Sequence, residues 1–398
     1  MSKTPSIAVI PSGYKGGVSG VDGTVYSVLP TNGDADLDFT RNCVATRVNQ
    51  NGLLEEVGLN VPRLDYSDGG CPSLLLEPQR TNLVTNAIVG TYVGSVDITN
   101  KVVSPSGLID ATTPIPTTTS NRFEYTISLG TFATDDILTY SWYRKRISTP
   151  IDDSYLGDIT LSSLINLETE GVTEQIESDI NGFDRFQARV KIVDGALESK
   201  NRAYFGGIVG VGNQSVAYYG HQLELGTYAT SLIYTSGAEV TRFKDEASKD
   251  NLESYINSSE GVLYAEISAL SDDLSVREIS ISDNSTNNAI RLYYSISTNS
   301  INYQVRSEGS LELLGTYAST DITDFNKIAV KWKINDFSMW VNGVNVFSES
   351  LGETPIGMNA IRLSPSISSN GDFEGKIKDL RVYNEALTDA ELITLTTI

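Results

Sequence analysis

Chemistry in this chain would have to come from carboxylates, from one histidine, or from aromatic and planar polar side chains presented on strands. Retaining glycoside hydrolysis needs two carboxylates flanking the scissile bond, and Glu-x-Asp-x-x-Glu is the motif sought for them. Only Glu177 has an aspartate two residues on, Asp179, and position 182, where the second glutamate would stand, is glycine. Asp152 with Asp153 and Asp272 with Asp273 are adjacent, so on a strand they point to opposite faces and suit turns better. The single histidine, His221 in YYGHQLELG, needs a nucleophile and an orienting acid beside it to act as a base. An ordinary place on a sandwich strand is the simpler reading, and catalysis is not expected.

Sugar recognition asks for aromatic faces to stack on and planar polar groups for hydroxyls. In FSMWVNG, Phe337, Met339 and Val341 alternate onto one face, leaving Ser338, Trp340 and Asn342 on the other. In IRLYYSIS, Leu292, Tyr294 and Ile296 point one way, and Arg291 and Tyr293 the other. INYQVRS separates Ile301, Tyr303 and Val305 from Gln304 and Arg306. Trp340, Tyr293, Arg306 and Asn342 are the candidate glycan-binding residues, provided that their strands share a surface. The competing reading is that a sister subunit or another domain covers this face. Trp332 is in phase with Ile328 and Val330 and belongs to the core.

The elements that must position these residues are β-strands. At 398 residues the chain exceeds one core, and 33 glycines with 20 tyrosines lean toward all-β architecture. A net charge of −21 opposes broad binding to nucleic acid or anionic membranes, whose phosphates demand basic patches. The start, MSKTPSIAVIPSGYKGG, lacks the basic-then-apolar pattern of a signal peptide, and no apolar run is long enough for a membrane span. Synthesis in a cytoplasm is expected. Cys43 and Cys71 make no disulfide framework and, even with His221, supply too few ligands for zinc.

Residues 1–40, rich in Gly, Pro and Thr, read as an extended arm ordered by packing against other chains. Asn49–Gly52, NQNG, marks a hairpin turn. Leu74–Leu76 in PSLLLEPQRTNLV do not alternate, as in a strand covered on both faces and ended at Pro78. Strand-like pieces follow between turn clusters, first from about 89 to 241 and again from 259. Thr388-Asp389-Ala390-Glu391 is a capping box for a short terminal helix. The expected organisation is an anchoring region over 1–88, a jelly-roll β-sandwich over 89–241, a linker over 242–258 and a second antiparallel β-sandwich over 259–398.

Three blocks of the last segment, EGVLYAEIS, KIAVKWKINDFSMWVNGVNV and GKIKDLRVYNEALTDAEL, resemble the concanavalin A-like, laminin G-type lectin sandwich. That resemblance implies that calcium is a candidate ligand, with Asp372 and Asp379 of the closing segment as its residues. No EF-hand loop is present, and solvated turn carboxylates are the alternative. ATRVNQNGLLEEVGLNVPRLDY, PSLLLEPQRTNLV and YYGHQLELGTYATSLIYTSGAEVTR resemble blocks of tailed-bacteriophage fibre and minor structural proteins, the last closing a carbohydrate-binding-module-like jelly roll. The resemblance implies a non-enzymatic virion protein of fibre or spike type, exposed on the particle. It would meet other virion proteins through residues 1–88, form a homotrimer, and adhere to host or environmental glycans. The alternatives are a capsid or tail decoration protein, whose lectin folds make only protein contacts, and a polysaccharide depolymerase.

Overall fold

The computed structural model describes residues 3–13, 23–89, 92–93, 96–113, 115–116, 122–128, 132–147, 167–192, 202–208, 216–369 and 371–398. The chain is all-β apart from one α-helix and a 3₁₀ turn among these residues, and its strands form antiparallel sheets. It divides into two compact units: residues 1–43, 57–78 and 244–398 form the first, and residues 44–56 and 79–243 the second.

Unit 1 is a sandwich of two eight-stranded sheets. The first runs Val344–Glu349, Phe337–Val341, Asn326–Lys333, Glu260–Ala269, Gly375–Tyr383, Ser73–Leu76 and Arg63–Asp65, with Ile7–Val9 also bonded to Gly375–Tyr383. The second runs Thr24–Val25, Leu37–Thr40, Glu246–Lys249, Ala360–Ser364, Arg277–Ser282, Ala289–Tyr294, Ser300–Ser307 and Ser310–Ala318. Period-two alternation drives one face of each strand inward. Leu263, Ile328, Val330, Trp332, Leu380 and Val382 of the first sheet meet Ile279, Ile281, Ile290, Leu292, Tyr294 and Tyr303 of the second in one core. Gly261 is forced by this packing: a Cβ there would lie 2.4 Å from the Trp332 ring and 2.6 Å from the Tyr383 carbonyl. The terminal helix Asp389–Thr396 carries the expected capping box and buries Leu392 against the first sheet's outer side.

The sandwich is therefore not confined to residues 259–398. Ile7–Val9 is buried, in register with Leu380–Val382. The neighbours that order this part of the arm are its own chain's strands, and residues 14–22 of the arm lie outside the described residues. Ser73–Leu76 is buried on both faces, as its lack of alternation implies, and its place is beside Gly375–Ile377. The segment expected as a linker, 242–258, contains the strand Glu246–Lys249, bonded between Leu37–Thr40 and Ala360–Ser364. Pairings between segments some 300 residues apart in sequence are invisible to local pattern, which is why the expected boundaries fall elsewhere.

A buried ionic quartet fastens these segments. Asp245 accepts from Arg41 Nη1 at 3.0 Å, from Arg63 Nη2 and from the Glu77 backbone N–H at 2.9 Å. Arg63 also donates to Glu77, and Arg41 Nη2 donates to the Gly58 carbonyl at 2.7 Å. Burial pushes the Arg63 guanidinium down, but Asp245 and Glu77 outweigh it and hold it above its ordinary range.

Unit 2 contains a six-stranded antiparallel sheet, in the order Lys101–Val103, Ile109–Thr112, Val216–Leu225, Ile137–Arg146, Phe183–Ile192 and Leu167–Ile180. A three-stranded sheet is built from Arg202–Ile208, Arg122–Ser128 and Tyr92–Val93. The NQNG hairpin forms, with Gly52 at φ +70° and its N–H donating to the Asn49 carbonyl. The HQLEL strand is a clamp: Gln222 accepts from Ile233 N–H and donates to the Thr230 carbonyl, while Glu224 accepts from the Thr230 N–H and hydroxyl. Asn82 is fully buried beside it, donating to the His221 and Ile233 carbonyls and accepting from the Val84 and Leu223 N–H groups.

Candidate functional site

The outward face of unit 1's second sheet gathers the planar polar groups that sequence alternation pointed to. While Ile279, Ile281, Leu292, Tyr303 and Leu363 turn into the core, their strand neighbours Glu278, Ser280, Arg291, Gln304 and Arg362 turn away from it. Ladder registry aligns them across the sheet: Ser248 opposite Arg362, Arg362 opposite Ser280, Ser280 opposite Arg291, and Arg291 opposite Gln304. Tyr293 faces Asn302 on the next row, and Arg306 lies on the Gln304 side.

Arg291 organises the centre. Its Nε donates to Glu278 Oε2 at 2.8 Å, its Nη2 donates to the same oxygen, and its Nη1 donates to Gln304 Oε1 at 2.5 Å. The same guanidinium lies 5.2 Å from the Tyr293 ring centroid. Tyr293 accepts from Asn302 Nδ2 at 3.2 Å, and Arg362 Nη2 donates to Asp250 at 2.6 Å. Burial would raise the Asp250 carboxyl, but its bonds from Arg362 and Asn284 hold it below the ordinary range. Beneath these groups, Glu278 Oε1 and the Ser280 hydroxyl are buried with no hydrogen-bond partner among the described residues. Buried polar atoms normally find one. Both are fully enclosed, Ser280 between Arg291 and Arg362 and Glu278 opposite the half-buried Tyr293.

The four glycan candidates do not share a surface. Tyr293 and Arg306 lie on this face, where Arg306 Nη2 donates to the Gly309 carbonyl at 2.6 Å. Trp340 belongs to the other sheet. It does turn away from the sandwich core, but the terminal helix covers it: it packs with Tyr264, Tyr383, Leu387 and Leu392 at 5% exposure and donates its Nε1–H to Ser338 Oγ at 3.1 Å. Asn342 is a turn residue at φ +49°, its side chain accepting from Lys327 N–H and donating to Asn326. Trp332 is core, as expected. Glu278, Ser280 and Arg362 were not singled out from sequence. Their signal, polar residues alternating with isoleucine and leucine in REISIS and AIRLS, is present but common to any solvated strand.

Asp372 and Asp379 are not brought together. Asp372 accepts from Ser366 N–H at 2.7 Å and from Lys244 Nζ at 2.9 Å. Asp379 is gripped through both oxygens by Arg381. Burial raises the Asp379 carboxyl even so, with Arg381 opposing the shift. Seven residues of largely extended chain put the two about 20 Å apart, and no group of three metal-ligating side chains occurs among the described residues. The donor set does not fit calcium.

A cleft of about 700 Å³ beside the helix is lined by Tyr264, Glu266, Lys327, Asp379, Arg381 and Tyr383 among others. Its floor places Glu266 directly opposite Asp379 on neighbouring strands. His221, in unit 2, is fully buried, with Nδ1 2.7 Å from the Tyr140 hydroxyl. Burial lowers its pKa to about 3, so it stays neutral and meets no solvent. Cys43 and Cys71 form no disulfide.

Residues 266–393 match the concanavalin A-like lectin/glucanases superfamily. Among solved structures, the CBM40 of the Ruminococcus gnavus IT-sialidase aligns at 16% identity over 38% of this chain and 92% of its own, with a TM-score of 0.33. The NanB sialidase of Streptococcus pneumoniae aligns at 18% identity over 38% of this chain and 26% of its own, with a TM-score of 0.31. A heptameric SAP-like pentraxin from Limulus polyphemus aligns at 16% identity over 34% of this chain and 69% of its own, with a TM-score of 0.29. No curated protein matches the chain. The lectin-type match covers residues of unit 1 alone, the unit that carries the polar face.

Proposed function

We propose that the protein is a glycan-binding module of a bacteriophage virion protein, of fibre or spike type, and that the outward face of unit 1's second sheet is its binding surface. The observation that carries the binding reading is the row of partly exposed planar polar groups on one face, Arg291, Gln304 and Tyr293. Such a row suits a ligand with several hydroxyls, because each hydroxyl both donates and accepts. Binding of the purified chain to a glycan array, with Arg291→Ala and Tyr293→Ala as probes, tests it. Wild type should bind at least one glycan class and both variants should lose it. Silence of the wild type across the array would return the face to the decoration reading.

The virion part of the proposal rests on the sequence resemblance alone. Within unit 2, Asn82 from PSLLLEPQRTNLV is bonded to the YYGHQLELG segment. Immunogold labelling of intact particles checks the location, and bare particles would refute it. The depolymerase alternative calls for two carboxylates in a groove, and Glu266 with Asp379 in the cleft come nearest to that. Asp379 is committed to Arg381 through both oxygens, which favours binding over hydrolysis. Release of reducing ends from capsular polysaccharide would reverse this preference.

A further inference from the structure

The cleft beside the terminal helix lies on the outward side of unit 1's first sheet, away from the polar face of the second. Ladder registry sets its floor. Lys327 stands opposite Glu266 and Glu266 opposite Asp379, so two carboxylates sit side by side on neighbouring strands. Like charges directly opposite each other destabilise a sheet, and a cation between them reverses the effect. Arg381 answers only one of the two, taking both oxygens of Asp379. Lys327 turns away from Glu266 and donates its Nζ to the Thr397 carbonyl at 2.9 Å, while Lys3 Nζ pairs with Glu385 at 3.0 Å. Glu391 closes the capping box with Thr388. Glu266, half-buried, has no hydrogen bond or ion pair among the described residues.

A second group points to a ligand independently. Tyr264 lines the cleft at 3% exposure, and its hydroxyl makes no hydrogen bond among the described residues. Buried hydroxyls normally find a partner. Arg381 lies over the ring, 5.7 Å from its centroid. Burial, with the Asp379 and Glu266 carboxylates beside it, holds the phenol above its ordinary range, so it stays protonated. Leu387 and Leu395 supply an apolar wall.

We infer that this cleft is a second ligand site, which takes a primary ammonium on a small uncharged body, with Glu266 as counter-ion and the Tyr264 oxygen accepting beside it. The charge of the ligand follows from the carboxylates. A neutral hydroxyl could bond Glu266 but would leave two carboxylates sharing one guanidinium, whereas an ammonium gives each its own cation. A net charge of −21 also draws cations toward the chain. A volume of about 700 Å³ suits a small molecule, whose body would lie against Tyr264, Leu387 and Leu395. An amino sugar and an alkyl amine both present this chemistry. The inference does not rest on glycan binding by the second sheet.

Saturation-transfer NMR titrations of the full chain test it, at about pH 6, where amines are charged. The probes are glucosamine, n-butylamine and N-acetylglucosamine, which keeps the sugar ring and removes the charge. Glucosamine alone binding would assign a sugar body, n-butylamine alone an alkyl stem, and both together would show that the ammonium suffices. N-acetylglucosamine should bind about tenfold more weakly than glucosamine, or worse. Glu266→Gln should weaken the ammonium probes about tenfold or more and Tyr264→Phe about threefold, with circular dichroism and unfolding midpoint unchanged. Glu253→Gln, at an exposed carboxylate outside the cleft, should change nothing. Silence of the wild type toward both amines at about 10 mM overturns the inference. So does equal binding of glucosamine and N-acetylglucosamine, or amine binding indifferent to both Glu266→Gln and Tyr264→Phe. These variants leave the second sheet untouched, so failure here is distinct from failure of glycan binding there.

Discussion

Replacing Asp245 by asparagine tests whether the buried quartet holds unit 1 together. The change removes one negative charge and almost no volume. Asp245 is 2% exposed and accepts bonds from Arg41, Arg63 and the Glu77 N–H. In the wild type, two arginines face two carboxylates, Asp245 and Glu77, and the charges cancel. In Asp245→Asn the same enclosure holds a net positive charge, and the amide must turn an N–H₂ toward one guanidinium or toward Glu77 N–H. Removing one partner of a buried ion pair costs about 3–5 kcal/mol, most of it the desolvation of the charge left behind. With a urea m value of about 3 kcal/mol/M for a unit of this size, the midpoint should fall by about 1 M or more. Trp332 and Trp340 lie in unit 1 and Trp142 in unit 2, so fluorescence in a Trp142→Phe background reports unit 1 alone. Glu385→Gln, which breaks the exposed Lys3–Glu385 pair, should cost less than about 1 kcal/mol. If Asp245→Asn costs no more than Glu385→Gln, the quartet is not a stabilising electrostatic unit and the reasoning fails.

Two further outcomes follow from unit 2. His221 titrates at about 3 in the folded chain, held down by burial, and near 6.5 when unfolded. The unfolded state therefore binds the extra proton between these values, and stability should fall as pH drops from about 6.5 toward 3, by up to about 1.4 kcal/mol per pH unit. Urea titrations from pH 7 to pH 4 should show this slope, and His221→Gln should flatten it; an equal slope in both would refute the assignment. Asn82→Ala removes a side chain that satisfies two carbonyls and two N–H groups at full burial. It should lower the unfolding free energy of unit 2 by about 3 kcal/mol or more, measured through Trp142 in a Trp332→Phe, Trp340→Phe background, and a loss below about 1 kcal/mol would mean that the lock is redundant.

What could be read locally was read well. Period-two alternation assigned Trp332 to the core and put Tyr293 and Arg306 on the outward face. The capping box and the NQNG turn sit where their chemistry requires. Trp340 shows the limit of such reading. Alternation correctly turned it away from the sandwich core, but whether an outward face meets solvent depends on what folds back over it, here Leu387 and Leu392 from 47 and more residues downstream. The same limit explains the enclosed Glu278 and Ser280. A polar residue on a strand is ordinary, and only the fold shows that these two lose water, which no spacing rule conveys.

The discontinuity of unit 1 bears on what its lectin-type match means. Residues 266–393 match, yet the strands Ile7–Val9, Leu37–Thr40, Arg63–Asp65, Ser73–Leu76 and Glu246–Lys249 are hydrogen-bonded into the same two sheets. Leu74, Leu76, Leu37, Phe39, Ile7 and Val9 lie in the same core cluster as Trp332 and Tyr303. The matched segment is thus part of a folding unit, not the whole of one. The chain passes between units after residues 43, 56, 78 and 243, and Arg41, Glu77 and Asp245 each stand within two residues of a passage. Arg41 reaches the remaining one through the Gly58 carbonyl. Charge, usually expelled from a core, is retained here inside unit 1, where directional, hydrogen-bonded ion pairs fasten segments distant in sequence. PSLLLEPQRTNLV spans one passage: its leucines fill unit 1, Glu77 joins the quartet, and Asn82 locks unit 2. Its abrupt change from apolar to polar is the imprint of a chain leaving one fold to secure another.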